Sequence, residues 1–386
     1  MNLSHLPLSS IKKGTRILMR VDFNVPLKNG KVPEASLPRL RAVAPEIVEY
    51  TKRGARVILA THLGRPDGHR KTSLSTHALV RPLGTCVGQG IETASDIAGS
   101  SARKMVEHLQ PGRIVMLENL RFDEREEKNK RSFAKELAQL GDVYVNDAFS
   151  VSHRPHASVS AITKYLPSFA GDLLTKEVTE LSKPLKEPFV LVLGGVKLET
   201  KLGLLLALGS KADAILMGGG AAVVLESIRS DRPSLATHLS PSSHEIRIGK
   251  KILRRFQDRL ILPSDAILKS TGKSESIHQL GIDDLMIDIG PKTQKAFEKI
   301  MEDAKTIVWN GPMGMIEDSR ACGGTTAVLR SMVHSEARTI AGGGDTLGFL
   351  DGTTLTKKLS FVSTGGGAML AFLAGEPMPG LKPLFV

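Results

Sequence analysis

Short apolar runs alternate with amphipathic stretches along the whole chain. In the first half, four runs have the length and continuity of buried parallel strands: RILMRV (16–21), RVILAT (56–61), IVMLE (114–118) and DVYVN (142–146). Six more follow in the second half: FVLVL (189–193), AILMG (214–218), LILP (260–263), TIVWN (306–310), RTIAG (338–342) and LSFVS (359–363). Amphipathic stretches lie between them, such as 39–52 and 131–140. This alternation predicts an α/β fold with parallel sheets.

The strand runs recur at similar spacing in both halves, which predicts two doubly wound domains. A chain of 386 residues is too long for one ordinary core, and this also favours two domains. We expect the first to span 1–170 and the second 189–367. The stretch 171–188 between them predicts a connecting helix that ends at Pro188.

The composition is that of an ordinary soluble enzyme, with 41% hydrophobic and 24% charged residues. The two cysteines, Cys86 and Cys322, cannot staple a fold of this size and fit a reducing compartment. No apolar stretch approaches the roughly 20 residues that cross a bilayer. The first residues lack the basic-then-apolar layout of a signal peptide. We therefore expect a cytoplasmic protein that does not engage membranes.

The net charge of +12 lies mostly in the first half. Residues 1–170 hold 26 Lys and Arg against 16 Asp and Glu, whereas residues 171–386 hold 26 against 24. A basic half is suited to nucleic acid, a membrane surface or a small polyanion. Nucleic-acid binders usually add aromatic stacking platforms or a recognition helix. Aromatic residues make up only 4% of this chain and no such motif is present, so we expect no nucleic-acid partner.

Three glycine-rich turns in the second half each follow a short apolar run. They are Gly218-Gly219-Gly220, Gly342-Gly343-Gly344-Asp345-Thr346 and Ser363-Thr364-Gly365-Gly366-Gly367-Ala368. Strand, glycine turn and helix together aim free backbone N–H groups at an anion. One such turn is weak evidence, because glycine also serves ordinary packing turns. Three in one half of the chain indicate that several strand ends grip one nucleotide.

A fourth glycine pair stands in LGGVKLETK (193–201). It is not a P-loop, which requires G-x-x-x-x-G-K-[ST]. Gly194 and Gly195 end a strand run, and the spacing of Lys197 and Lys201 predicts both ammonium groups on one face of a starting helix. The alternative is a packing turn with two solvated lysines. The three other glycine turns favour a phosphate site.

Polar side chains follow the strand runs of the first half as well. Asp22 and Asn24 end the first run, where an open α/β sheet places ligand contacts, although both residues also favour plain capped turns. THLGRP, ENLRF and NDAFSVSHR then place Arg65, Arg121 and Arg154 beyond later runs. A lone arginine there is usually a surface residue. Three of them, together with Arg39, favour an anion cradle, since guanidinium groups suit phosphate and carboxylate oxygens.

The remaining motifs indicate residues that position a substrate and neutralise its charge. WNGP (309–312), followed by Glu317, predicts a nucleoside pocket in which Glu317 accepts a ribose hydroxyl, although a lone Trp is often simply core. The 11 histidines show no metal-ligand spacing, and some are explained equally well as ordinary hydrogen-bonded residues. No nucleophile elbow or Cys-His signature is present. This equipment is typical of phosphoryl transfer.

Eight motifs occur in the order seen in phosphoglycerate kinases: RVDFNVP, THLGRP, ENLRF, NDAFSVSHR, LGGVKLETK, WNGP, AGGGDT and STGGGA. The chain resembles a bacterial-length member of that family from about Arg16 to the C-terminus. The resemblance implies magnesium-dependent phosphoryl transfer between 1,3-bisphosphoglycerate and ADP, giving 3-phosphoglycerate and ATP. It also implies a monomer of two Rossmann-like domains joined by a hinge helix, with residues 368–386 packing back on the first domain.

The resemblance also implies roles for individual residues. The groups that would hold phosphoglycerate are Asp22, Asn24, Arg39, His62, Arg65, Arg121 and Arg154. The groups around the nucleotide would be Gly194, Gly195, Lys197, Lys201, Gly218, Gly219, Asn310, Glu317, Gly343, Gly344, Asp345 and Thr346, with Asp345 binding the magnesium ion. The catalytic set would be Arg39, Lys201, Gly365 and Gly366. In that set Arg39 stabilises the transferring group, Lys201 follows it, and the two glycines offer backbone amides.

The chain departs from the family pattern in three places. Ser150 and Ser152 stand where Gly and Ala are usual, about three residues are missing before FVLVLGG, and 318–325 lacks the usual aromatic and basic residues. These changes bear on hinge mechanics and nucleotide fit.

Two other hypotheses remain for the function: a different α/β ATP-dependent kinase of a small carboxylic acid, and a non-catalytic polyanion-binding protein. The second would show salt-sensitive binding to nucleic acid and no phosphate exchange.

Overall fold

The computed structural model describes residues 2–281, 284–350 and 353–386, except for four side chains, at positions 35, 200, 204 and 237. The chain forms two compact units. The first runs to Glu180 and includes Pro377–Val386, and the second is Leu181–Glu376. No helix in the described part of the chain combines the length and apolar character needed to cross a membrane.

A six-stranded parallel sheet forms the centre of the first unit. Its strands are β1 (Arg16–Val21), β2 (Arg56–Ala60), β3 (Ile91–Thr93), β4 (Ile114–Met116), β5 (Val143–Asp147) and β6 (Ser168–Ala170), in the order β3-β4-β2-β1-β5-β6. Its helices are α1 (Leu37–Lys52), α2 (His77–Val87), α3 (Ser100–His108), α4 (Glu124–Glu127), α5 (Arg131–Ala138) and α6 (Asp172–Leu181), the last ending one residue inside the second unit. Two apolar clusters, one containing Ile17, Met19 and Val57 and the other Leu18, Ile58 and Val115, bury alternate residues of the strands. Burial on opposite faces explains why the strand runs are apolar throughout.

The second unit contains another six-stranded parallel sheet and a small antiparallel one. The parallel strands are β7 (Phe189–Leu193), β8 (Ala214–Met217), β9 (Leu260–Ile261), β13 (Thr306–Asn310), β14 (Arg338–Gly342) and β15 (Phe361–Ser363), in the order β15-β14-β13-β7-β8-β9. The antiparallel strands are β10 (Asp265–Leu268), β11 (Ser274–Ser276) and β12 (Met286–Ile289), in the order β11-β10-β12. The helices are α7 (Glu199–Leu208), α8 (Gly219–Arg229), α9 (Ser243–Phe256), α10 (Pro291–Glu302), α11 (Gly323–His334), α12 (Gly344–Leu350) and α13 (Gly367–Leu373).

Each parallel sheet has a switch point at which the chain changes the direction in which it adds strands. In the first sheet β1 lies between β2 and β5, and in the second β7 lies between β8 and β13. Connections that leave in opposite directions open a crevice beyond the carboxyl ends of these strands, and ligands of open α/β sheets bind there. The fold therefore places one such crevice in each unit.

The predicted fold class is confirmed, and all ten strand runs form strands. Four of them, RILMRV, FVLVL, TIVWN and RTIAG, match β1, β7, β13 and β14 residue for residue. The pattern did not predict β3, β6 or the antiparallel sheet. The connecting helix was predicted too long: it ends at Leu181 and not at Pro188. Pro184 explains the early end, because proline cannot donate to the helix ladder and disfavours helix in the residue before it.

Candidate active site

The crevice of the first unit begins at Asp22, directly after β1. Its buried carboxylate accepts the Asn24 backbone N–H on Oδ1 at 3.1 Å and the Ser150 hydroxyl on Oδ2 at 2.5 Å. Arg39 reaches the same place from α1. Its Nη1 lies 3.4 Å from Oδ2 of Asp22 and donates to the Asn24 carbonyl oxygen at 2.9 Å. The loops after β1 and β5 thus fix one carboxylate and one guanidinium side by side.

Asn24 connects this carboxylate to the loop after β2. Its Oδ1 accepts the backbone N–H of Gly64 at 2.8 Å, and the Gly64 carbonyl oxygen accepts Nη1 of Arg121 at 2.8 Å. Arg121 is buried, and its Nε lies 3.2 Å from Oε1 of Glu127. Burial lowers the pKa of Arg121, but an arginine stays charged in proteins. Arg65, in the same loop as Gly64, is exposed and makes no hydrogen bond or ion pair with any residue that the structure describes.

His62 lies buried among these arginines. Nη2 of Arg20 is 3.1 Å from its Nδ1. A guanidinium group only donates, so Nδ1 accepts and the ring proton sits on Nε2. Burial first, and then the charges of Arg20 and Arg121, hold the pKa of His62 well below its usual range. The imidazole is therefore neutral and offers one N–H donor.

Arg154 completes the basic cluster. Its Nε lies 3.2 Å from Nε2 of His153, whose pKa burial lowers to about 4, with the charge of Arg154 adding to the effect. Burial and the charges of three arginines, Arg121, Arg20 and Arg154, lower the pKa of His156 to about 3. The positive charge of this crevice is thus carried by arginines. Of the predicted groups, the structure joins Asp22, Asn24, Arg39, His62, Arg121 and Arg154 around the ends of β1, β2, β4 and β5, while Arg65 stands exposed beside them.

The crevice of the second unit is built from glycine loops. Gly195 N–H donates to the Pro312 carbonyl and Gly219 N–H to the Met313 carbonyl, each at 2.8 Å. A Cβ on Gly194 would lie 2.0 Å from the Pro312 oxygen, and one on Gly219 would lie 2.7 Å from backbone atoms of Gly195. The close approach of three loops, those after β7, β8 and β13, therefore requires glycine at these positions.

A cavity of about 320 Å³ lies beside these loops. Its walls are largely apolar and include Ala222, Val223, Pro263, Ala266, Ile277, Met286, Ile287, Met315 and Ile316. Four acids also line it, namely Glu226, Asp288, Glu317 and Asp345. Apolar walls with a few polar groups suit a flat heterocycle attached to a hydroxylated group. Predicted residues Gly195, Gly219, Glu317 and Asp345 are therefore brought to one cavity, with Glu317 exposed at its surface.

Lys201 lies next to the ends of β13 and β14. Its Nζ donates to Oδ1 of Asn310, and Nδ2 of Asn310 donates to the Gly342 carbonyl at 2.6 Å. Burial lowers the pKa of Lys201 to about 8, while the charge of Asp345 acts in the opposite direction. At neutral pH the ammonium group is still mostly protonated. A bound anion would favour the charged form further.

The last two glycine turns lie side by side. A Cβ on Gly366 would be 3.8 Å from the Cα of Gly343, and both glycines have positive φ, 48° and 121°. Gly343 and Gly344 lead into α12, whose first turn carries the exposed Asp345 and the buried Thr346. The Thr346 hydroxyl accepts the Gly311 N–H at 2.8 Å. Gly365 and Gly366 precede α13, so these turns open onto helices as predicted.

One detail of the prediction is wrong. Lys197 and Lys201 do not share a helix face, because α7 begins at Glu199 and Lys197 lies in the loop before it. Lys197 is exposed, whereas Lys201 is mostly buried. Gly195, in the same loop, has a φ of 97°, a left-handed conformation that lies outside the helical region and favours glycine.

Some residues of the two crevices were not in the predicted set. Arg20 and His156 belong to the basic cluster, and Asp288 and Glu226 line the cavity. Arg20 had a visible signal, since an arginine inside an apolar strand run must find partners. No group of three or more metal-binding side chains occurs among the residues that the structure describes, so Asp345 belongs to no such group.

Comparison with known proteins gives one consistent result. The family model described as phosphoglycerate kinase matches residues 9–376. Phosphoglycerate kinase of Moorella thermoacetica is 38% identical over 381 residues, and that of Thermomicrobium roseum is 39% identical over 381 residues. Each match covers 96% of both chains. Two solved structures of phosphoglycerate kinases match over 98% of both chains: that from Coxiella burnetii with a TM-score of 0.79 at 31% identity, and that from Pyrococcus horikoshii with a TM-score of 0.86 at 29% identity.

Proposed function

The chain belongs to the phosphoglycerate kinase family, and we propose how its two crevices perform the family reaction. That reaction is the reversible transfer of a phosphoryl group between 1,3-bisphosphoglycerate and ADP, giving 3-phosphoglycerate and ATP, in glycolysis and gluconeogenesis. The observation that carries the assignment of the crevices is the arginine cluster around Asp22, because it matches a small, densely charged anion that also carries a hydroxyl group.

The basic crevice of the first unit binds phosphoglycerate. Arg65, Arg121 and Arg154 supply guanidinium donors, and neutral His62 adds one N–H. Asp22 accepts a hydroxyl of the substrate, and Asn24 holds the neighbouring loop in place. The cluster has more cations than nearby carboxylates, so a bound phosphate or carboxylate neutralises the excess positive charge.

Arg39 stabilises the phosphoryl group during transfer. Its hydrogen bonds to described residues all come from Nη1, so Nε and Nη2 can donate to an anion. The contact with the Asn24 carbonyl oxygen fixes the guanidinium before the substrate arrives. Such preorganised charge lowers a barrier because it needs no rearrangement as the transition state forms.

The second unit binds ADP or ATP. The base lies in the apolar cavity, Glu317 accepts a ribose hydroxyl, and Gly218 and Gly219 shape the slot. Lys197, Lys201, Asn310 and the amides of the glycine turns contact the phosphates, with Gly194, Gly195, Gly343, Gly344 and Thr346 shaping the loops. Lys201 follows the moving phosphoryl group, and Gly365 and Gly366 present amides to it. The buried ammonium of Lys201, with its pKa lowered to about 8, gains from an anionic partner.

Asp345 would hold Mg²⁺ together with phosphate oxygens of the nucleotide. The fit is adequate, because Mg²⁺ commonly takes one or two carboxylates, substrate phosphates and several waters. Asp345 is exposed in the first turn of α12 and close enough to Lys201 to affect its pKa. When bound, the ion neutralises phosphate charge.

The reaction itself requires the two bound substrates to meet. The phosphoglycerate groups lie in 22–154 and the nucleotide groups in 194–366, so we propose that the units close on each other about the hinge at α6 when both ligands are bound. Closure also excludes water, which would otherwise accept the phosphoryl group. We further propose a cytoplasmic monomer with no nucleic-acid or membrane partner, on the strength of its ordinary composition and its lack of nucleic-acid motifs.

A coupled assay with 3-phosphoglycerate, ATP and magnesium tests this function. We expect ADP formation that depends on 3-phosphoglycerate and is absent with acetate or unphosphorylated glycerate. A different small-acid kinase would use one of those acids in preference. A polyanion-binding protein would form no ADP and would bind RNA with strong salt dependence.

A further inference from the structure

Asp288 is a buried carboxylate in the wall of the nucleotide cavity. It lies on β12 and is 4% exposed. Its Oδ1 accepts the backbone N–H of Ile289 at 2.8 Å, and its Oδ2 accepts that of Gly324 at 2.7 Å. The carboxylate therefore ties β12 to the first turn of α11.

This contact replaces a missing helix cap. Cys322, the residue before α11, gives the helix no side-chain hydrogen bond, although the first amides of a helix lack partners within it. Asp288 supplies that acceptor from a distant strand. The carboxylate of Asp288 thus caps a helix whose preceding loop forms part of the cavity wall.

The backbone around Asp288 is built closely against it. A Cβ on Gly314 would lie 2.6 Å from its Oδ1, and a Cβ on Gly324 would lie 2.4 Å from the same oxygen. The loop between these glycines is also fixed by the Met315 N–H, which donates to the Ile287 carbonyl at 2.8 Å. Gly314, Met315, Ile316 and Glu317 all line the cavity, so the position of this wall depends on the Asp288 carboxylate.

Two opposing effects act on this group. Burial disfavours its charge and raises the pKa to about 7, whereas the amides of Gly324, Ile289 and Gly323 favour the charge. Among the described residues, the half-buried thiol of Cys322 lies close enough to sense its charge. The carboxylates of Glu226, Glu317 and Asp345 line the same cavity. Burial and the carboxylates of three residues, Asp288, Asp318 and Glu317, raise the pKa of that thiol. Asp288 thus changes charge near neutral pH, and the thiol stays protonated there.

We propose that Asp288 is a positioning residue for the nucleotide, holding the 314–317 wall where the base and ribose bind; this inference rests on the proposed function. The ionised carboxylate accepts from both amides. Protonation of one carboxylate oxygen removes a hydrogen-bond acceptor at the start of α11. The 314–317 wall then loses part of its support and can move. Nucleoside binding therefore weakens as the pH falls through the range in which Asp288 titrates.

Adenosine is the probe of choice, because it has no phosphate groups. Its binding therefore does not depend on the protonation of Lys201 or of a phosphate. Calorimetry at pH 6 and pH 8 compares the wild type, Asp288→Asn and Asp318→Asn. Asp318 is the control for the pH dependence, since it lies in the same loop and hydrogen bonds from Arg320 lower its pKa to about 2, well below the pH range compared. We expect wild-type affinity to fall up to about tenfold between pH 8 and pH 6, the limit that linkage sets for a group titrating near 7.

Asp288→Asn should bind adenosine weakly and equally at both pH values, whereas Asp318→Asn should behave as the wild type. If Asp288→Asn does not fold, the ¹³C resonance of the carboxyl group in the wild type replaces it. Adenosine should then move the Asp288 titration to lower pH. The inference is overturned if Asp288→Asn binds adenosine with the wild-type affinity and pH dependence, or if adenosine does not shift the titration of Asp288. Failure of the kinase assay would overturn the proposed function instead, because adenosine binding is measured without turnover.

Discussion

Among single residues, Arg39 carries the strongest prediction. Arg39→Ala removes the guanidinium that we place on the transferring phosphoryl group and should lower kcat on the order of 10³-fold or more. Nucleotide affinity should change much less, because Arg39 lies in the other unit. Steady-state kinetics measure both. Arg41→Ala, on the same helix at an exposed position, is the control and should stay near wild type. A kcat within a few-fold of wild type for Arg39→Ala would refute the role.

Asp345→Ala tests the proposed magnesium contact. The variant removes the carboxylate in the first turn of α12, so more Mg²⁺ should be needed to reach half-maximal binding at fixed ADP. A magnesium titration followed by calorimetry gives this number. Asp303→Ala, an exposed position after α10, should titrate as the wild type. Superimposable curves for Asp345→Ala and wild type would mean that another group binds the ion.

Single residues were predictable where a strand end met a polar motif. Asp22, Asn24, Arg121 and Arg154 were found this way, and the structure places them together. Arg20 and His156 were not identified. Arg20 carried one signal, its place inside an apolar strand run, but the contacts that bring both residues into the cluster join strands and loops far apart in the chain. Asp288 was missed for the same reason: its partner, Gly324, is 36 residues away.

At the scale of elements, the start of α6 is anchored by two buried acids. Oε2 of Glu46 accepts the Asp172 N–H at 3.2 Å, and Oδ1 of Asp147 accepts the Leu174 N–H at 2.9 Å. The Tyr50 hydroxyl donates to Oε1 of Glu46 at 2.6 Å. Burial raises the pKa of Glu46 to about 7, and the charge of Asp172 adds to the rise; burial and the charge of Glu46 raise the pKa of Asp147 well above its usual value. The fold therefore holds protons here that the unfolded chain would release.

Glu46→Gln tests this anchor through the pH dependence of stability. A carboxyl group whose pKa is raised in the folded state makes the folded protein less stable as the pH rises. For Glu46 this loss falls between its usual pKa near 4.5 and its folded-state pKa of about 7. The wild type should thus lose more unfolding free energy between pH 5 and pH 8 than Glu46→Gln, by about 1–3 kcal/mol. Urea unfolding at both pH values measures the difference. Glu107→Gln, exposed on α3, should keep the wild-type slope; an equal slope for Glu46→Gln contradicts the raised pKa.

Elements were predicted well where a run was long and apolar. β3 and β6 were not predicted because each has only three residues. Five of these six residues are half-buried, so neither strand gives a continuous apolar signal. The antiparallel sheet was not predicted for a similar reason, because its strand β11 is polar and largely exposed. Long-range pairing, which local pattern does not encode, holds these strands in place.

At the scale of the whole molecule, we propose that the two units close on each other during the reaction. The reacting atoms must come within roughly 3–3.5 Å, yet the proposed ligand groups belong to two different units. We propose that the charge of the arginine cluster opposes closure until anionic substrates neutralise it. Small-angle scattering should therefore show a smaller radius of gyration with 3-phosphoglycerate and nucleotide together than with neither or one. The same radius in all states, with ligands still far apart in a ternary crystal, would rule out hinge closure.

The two-unit architecture followed from the strand alternation, and the location of both crevices followed from the strand ends. What pattern alone did not supply is the topology that makes β1 and β7 central, because strand order depends on contacts between residues far apart in sequence. The return of Pro377–Val386 to the first unit is a long-range contact of the same kind. The family resemblance predicted this return from residue 368, whereas the structure places 368–376, with most of α13, in the second unit.

The central claim is that this chain forms an acyl phosphate from ATP and 3-phosphoglycerate. Hydroxylamine traps that product directly, since it attacks the acyl carbon to give a hydroxamate and releases phosphate. With ATP, magnesium and 3-phosphoglycerate, we predict hydroxamate in amounts equal to ADP, and neither product above background when 3-phosphoglycerate is omitted. With Arg39→Ala, both products should form more slowly than with the wild type, on the order of 10³-fold or more. ADP without hydroxamate, or no ADP at all, would contradict the account.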